Sequence, residues 1–115
     1  MGKEIDMKEN RSYNVFTGNL RFEWDTLKND INIQKHGVSF PEAITVFDDD
    51  NALLISGINH SLDEERFIII GLSKMPRVLY VCHCYREQSD AIRIISARVA
   101  TKAEENYYER QGFQE

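Results

Sequence analysis

The sequence predicts an α+β fold in which two N-terminal helices and one C-terminal helix pack on a four-stranded antiparallel meander sheet. Three observations predict it. Apolar residues recur at helical spacing up to Phe47 and again after Thr101, short runs rich in β-branched residues fill the interval, and the breaks between those runs are too short to hold crossover helices.

Residues 1–19 mix charges of both signs and end in a Gly-Asn turn signal, so they are expected to be a flexible leader outside a single domain of residues 20–115. Deleting them is expected to leave a cooperatively melting core. After an apolar start at Leu20 to Phe22, Asp25 can cap a helix whose Trp24, Leu27 and Ile31 recur at helical spacing, and Lys35-His36-Gly37 is a helix stop. Ser39 as N-cap with Glu42 three residues on forms a capping box for a second helix, whose Phe40, Ala43, Ile44 and Phe47 make one apolar stripe. The acidic run Asp48 to Asp50 ends it, being unfavourable at a helix C-terminus. Strands are expected over residues 52–55, 67–70 before Gly71, 78–85 and 92–97, with turns at Ser56-Gly57, residues 74–77 and residues 87–90. The last helix opens with Thr101 as N-cap and Glu104 at the capping-box position.

Composition bounds the partners. Net charge is −5, unlike a general nucleic-acid binder, but the charge is unevenly spread. Residues 39–65 carry seven acids and no base, whereas residues 66–102 carry seven bases against Glu87 and Asp90, a local balance of +5. The second stretch could meet phosphate or an acidic partner. No apolar window is long enough for a signal peptide or a membrane span, which points to the cytoplasm. Cys82 and Cys84 would point the same way from one strand and read as small buried hydrophobes; with His83 on the other side, no metal site and no cofactor is expected.

Four ordered blocks carry a family resemblance: FEWDTLKNDINIQKHGVSFPEA at 22–43, HSLDEERFIIIG at 60–71, VLYVCHCYRE at 78–87 and IRIISARVAT at 92–101. Together they resemble the BrnT family over roughly residues 20–109. The resemblance implies a RelE-like fold and a ribonuclease toxin of a type II toxin–antitoxin pair that blocks translation. It also implies a ribbon-helix-helix, BrnA-like antitoxin that neutralises the toxin and binds operator DNA, leaving RNA as the toxin's own substrate.

Metal-independent RNA cleavage needs a base for the 2′-hydroxyl proton, cations for the charge building on phosphorus and a donor for the departing 5′-oxygen. Within the matching blocks the catalytic candidates are Lys35, His36, His60, Glu65, Arg66, Arg86 and Arg93, with Arg98 and Lys102 as substrate-binding candidates. If Arg86 and Ala91 close a four-residue loop, Tyr85 pairs with Ile92 and Cys84 with Arg93, which places Arg86 and Arg93 on one sheet face as a phosphate clamp. Arg98 lies an odd number of residues from Arg93 and joins that face only if a bulge or a strand end intervenes. Each arginine has a bland alternative in an ion pair, Glu65 could simply pair with Arg66, and Lys35 and His36 could cap helix carbonyls. The last helix begins Lys102-Ala103-Glu104-Glu105 and its end is acidic, which would repel RNA and suits an alternative, non-catalytic module serving as antitoxin partner and co-repressor.

Overall fold

The computed structural model describes residues 12–17, 19–60 and 65–112. The strands are β1 (Ser12–Thr17), β2 (Leu20–Asp25), β3 (Leu53–His60), β4 (Glu65–Leu72), β5 (Val78–Arg86) and β6 (Ala91–Val99). The helices are α1 (Thr26–His36), α2 (Phe40–Ile44), which runs into a 3-10 turn over Thr45–Asp48, and α3 (Lys102–Gly112).

Among the described residues the strands form one sheet in the order β1-β2-β6-β5-β4-β3. The α+β class and the antiparallel meander of β3 to β6 are as expected; the four-strand sheet is not. Leu20–Asp25 alternates apolar and polar residues, and it adds to β6 as a parallel neighbour through Phe22↔Ile92 and Glu23↔Arg93. Trp24 therefore belongs to a strand, where it is buried, and Leu27 and Ile31, expected to share its core-facing stripe, are exposed. β1 pairs antiparallel with β2 from Ser12↔Asp25 to Thr17↔Leu20, so part of the stretch read as a leader carries an element. Residues 1–11 lie outside the described residues.

Local chemistry explains the helix ends. Asp25 caps α1 by accepting from the Leu27 N–H at 2.9 Å, and Gly37, in the left-handed region at φ 69°, donates to the Ile33 carbonyl at 2.8 Å. Ser39 Oγ accepts from the Glu42 N–H at 3.1 Å, but the Glu42 carboxylate turns away from the expected box to take Arg77 Nη2 at 2.7 Å and Ser73 Oγ at 2.7 Å. The Arg77 bonds hold the Glu42 carboxyl below its usual range. The Thr101/Glu104 box is complete: the Glu104 N–H donates to Thr101 Oγ1 and the Thr101 N–H to Glu104 Oε1.

Two layers cover the sheet. On one face Phe22, Trp24, Val38, Phe40, Val46, Leu79 and Val81 form a core closed by α2, the 3-10 turn and the segment that joins α1 to α2. Edge-to-face contacts of Trp24 with Phe40 and of Phe22 with Phe47 fix its geometry. β4 runs on through Gly71, expected to end it, because a missing Cβ lets the 3-10 turn sit close: an added one would lie 3.0 Å from Ala52 Cβ and 3.2 Å from Val46 Cβ. On the other face α3 sets Tyr108 against Ile68, Ile70 and Val78. The Tyr108 hydroxyl donates to Asp49, a carboxylate that also receives the Leu72 N–H. α3 covers the half of this face nearest Val78, and among the described residues no helix lies over the opposite half.

One buried polar residue closes the sheet. Past Arg93 no strand pairs with β6 on its β2 side among the described residues. There the Asn32 side chain takes a strand's place, accepting from the Ala97 N–H at 3.1 Å and donating to the Ala97 carbonyl at 2.7 Å and the Val38 carbonyl at 2.8 Å. α1 is thereby fixed along the flank of β6.

Candidate functional site

The β5–β6 hairpin has the expected register, with Arg86↔Ala91, Tyr85↔Ile92 and Cys84↔Arg93. Arg86 and Arg93 therefore share the face that α3 half covers. Alternation along β4 from Phe67↔His83 puts Arg66 on that face too, one position beyond the pair, alongside Cys84. A row Arg66, Cys84, Arg93, Glu23 then crosses four neighbouring strands, and Arg66, Arg86 and Arg93 line one polar cleft of about 240 Å³ together with Lys28 and Asp25 of the β2–α1 corner.

The electrostatics of this cleft are unequal from residue to residue. Arg93 Nη1 donates to Glu23 Oε2 at 3.0 Å, and Glu23, only 9% exposed, anchors it from the adjacent strand. Arg66 has no ion pair among the described residues, and its Nε is buried without a hydrogen-bond partner. Cys84 is fully buried beneath the cationic row and Cys82, half-buried, has its thiol pushed up by burial, partly offset by Arg66. Neither thiol is bonded to another. His83 points to the opposite face, between Phe47 and Phe67, where burial drives its pKa down to about 4. It is a neutral core residue with no route to the cleft.

The chain matches the family model described as the ribonuclease toxin BrnT of type II toxin–antitoxin systems over residues 24–104. It belongs to the BrnT family. No curated protein matches it. The 1.1 Å crystal structure of the Brucella abortus ribonuclease toxin BrnT is similar, with a TM-score of 0.52 and 26% identity over 69% of this chain and 94% of that one. Membership of a type II BrnT family implies an antitoxin partner. No helix among the described residues is long and apolar enough to cross a membrane.

In this BrnT-family chain the expected site residues fall into three groups. Arg66, Arg86 and Arg93 come together in the cleft described above. Lys35 and His36 end α1, both exposed, and line a neighbouring cleft of about 270 Å³ that shares Lys28 and Ile95 with the first. Arg98 and Lys102 are brought to neither. A bulge at Ile95, between Cys82↔Ser96 and His83↔Ile94, does return Arg98 to the face of Arg93. It stands opposite Tyr80, four residues along β5 from the Cys84 position and thus roughly 13 Å away at about 3.3 Å per residue. There its guanidinium lies 3.8 Å over the Tyr80 ring and forks onto both oxygens of Glu104, tying β6 to α3. Lys102 is exposed at the start of α3.

Glu65 is exposed and, by alternation, projects away from the face of Arg66, so the expected pairing of these neighbours does not form. His60 pairs with Glu65 in the β3–β4 register; its side chain lies outside the described ones. Sequence reasoning passed over Glu23 and Lys28. The alternation of Phe22, Glu23, Trp24 held the signal for Glu23, and Lys28 lies seven residues before Lys35, on the same helical face.

Proposed function

We propose that this chain is a metal-independent endoribonuclease toxin of the cytoplasm, held inactive by a ribbon-helix-helix antitoxin and blocking translation by cutting RNA when released. The observation that carries this reading is the convergence of Arg66, Arg86 and Arg93 on one cleft of an otherwise acidic protein. Guanidiniums present planar forks of N–H donors matched to phosphate oxygens and do not lose their charge in a protein. Three of them around one phosphate supply the positive charge that the transition state of 2′-hydroxyl attack requires, in the place where a metal ion would otherwise act. Glu23 keeps the Arg93 fork from folding back onto the sheet and aims it at the cleft. His60 is the proposed source of proton transfer, and Arg98, forked onto Glu104 away from the cleft, supports the fold rather than the scissile phosphate.

The purified chain, incubated with RNA in the presence of a chelator, tests this directly. Cleavage is expected to persist with chelator and to disappear in Arg93→Ala, with growth arrest and RNA loss on induction behaving the same way in cells. A folded Arg93→Ala protein that still cuts RNA would sink the arginine cleft as the reaction centre. Growth and RNA untouched by the folded wild-type chain would instead favour the non-catalytic antitoxin-binding module, which the acidic α3 suits.

A further inference from the structure

We propose that the cleft along α1 is a second phosphate subsite, and that Lys28 joins it to the arginine cleft to make one track for single-stranded RNA. This rests on the ribonuclease reading of the arginine cleft and adds to it a length requirement and a path for the bound strand.

The track follows from how α1 is placed. Lys28, Ile31, Asn32 and Lys35 fall at i, i+3, i+4 and i+7, so they share one helix face. Asn32 presses that face onto β6 through its bonds to Ala97, which fixes the groove wall without any loop to move. On the sheet side the bulge residue Ile95 forms the floor where the two clefts meet, and both clefts include it and Lys28. The two clefts, of about 240 and 270 Å³, therefore adjoin across Lys28 and Ile95.

The lining selects the ligand. Around the second cleft stand Lys28, Lys35, His36, Ile31, Ile95 and Ser96, with no acidic side chain among the described lining residues, although the protein as a whole carries −5. Ammonium and imidazole donors suit phosphate oxygens, the Ser96 hydroxyl suits a ribose hydroxyl, and the two isoleucines offer apolar walls to base faces. Lys28 and Lys35 are separated by two helical turns, about 10 Å at about 1.5 Å per residue, which a stacked strand spans in about three nucleotides at about 3.4 Å each. The scissile phosphate would sit among the arginines while the strand continues past Lys28 toward Lys35 and His36.

The test measures binding, so that it stands apart from catalysis. Fluorescent single-stranded RNAs, a dinucleotide and an octanucleotide, are titrated with the full chain carrying Arg93→Ala to prevent cutting, and with Lys28→Ala or Lys35→Ala added. Both lysines are exposed, and circular dichroism checks that the variants remain folded. The octanucleotide is expected to bind much more tightly than the dinucleotide. Each lysine variant should weaken octanucleotide binding several-fold, erode the length preference and reduce the salt slope by about 0.7, the contribution of one phosphate contact on a single strand. Lys35→Glu should weaken it further. Octanucleotide binding with unchanged affinity and salt slope in Lys28→Ala and Lys35→Glu would overturn the track, as would equal affinity for the two lengths. Failure of the ribonuclease reading has a separate signature, RNA left uncut by the wild-type chain.

Discussion

A single amide decides where the sheet of this BrnT-family protein stops. Asn32 meets both backbone groups of Ala97 and the Val38 carbonyl, all in a buried setting, so truncating it leaves three polar groups without partners. At about 1–3 kcal/mol for each unsatisfied buried group, Asn32→Ala should lower the unfolding free energy by at least roughly 3 kcal/mol, read as a shift of the denaturant midpoint. A loss below one kcal/mol would show that water enters and replaces the amide. Residue-scale chemistry was only partly legible in the sequence. The loop between Arg86 and Ala91 fixed the cross-strand partners of the hairpin, and with them the shared face of Arg86 and Arg93, because register follows from loop length alone. Asn32 and Glu23 were not legible, since each is defined by a partner far along the chain, Ala97 for one and Arg93 for the other. Arg98 returns to the face of Arg93 only through the bulge, and nothing in the local pattern marks Ile95 as the extra residue.

At the scale of elements, helix ends and the meander were readable because their determinants are local: the Asp25 and Ser39 caps, the αL Gly37 and the complete Thr101/Glu104 box. β2 was misread because Leu20, Phe22 and Trp24 alternate over only six residues, and its parallel partner β6 lies some seventy positions away. Local reasoning therefore extended a real helix backward over a strand. The structure also changes what truncation should do. β1 is registered on β2 at six positions, whereas β2 meets β6 at two, so removing residues 1–17 leaves β2 as an edge held mainly by Phe22 and Trp24 in the core. Six ladder positions, set against the entropy of ordering them, leave a net of roughly 1–2 kcal/mol. The truncated chain should still melt cooperatively, but about 10 °C lower. An unchanged melting temperature would mean that β1 contributes nothing to stability.

For the whole molecule, the pH dependence of stability follows from His83. Burial depresses its folded-state pKa from 6.5 to about 4, so the unfolded chain takes up a proton that the folded core refuses. Stability is fully present above pH 6.5 and is lost as pH falls toward about 4, by roughly 3 kcal/mol over that window. Below it Glu42 and Glu104 add to the loss, because hydrogen bonds from Arg77 and Arg98 hold their carboxyls low and protonation ends those bonds. Unfolding curves across this range should show a steep acid slope in the wild type and a flat one in His83→Leu; equal slopes would discard His83 as the cause. The cationic face has an opposite sensitivity. Arg66, whose buried Nε has no hydrogen-bond partner among the described residues, lies in the cleft beside two further guanidiniums, so like charges crowd one side of the fold. A polyanion that settled among these guanidiniums would relieve that crowding and stabilise the fold by mass action, so under the proposed reading resistance to heat and to proteases would track what the cleft holds.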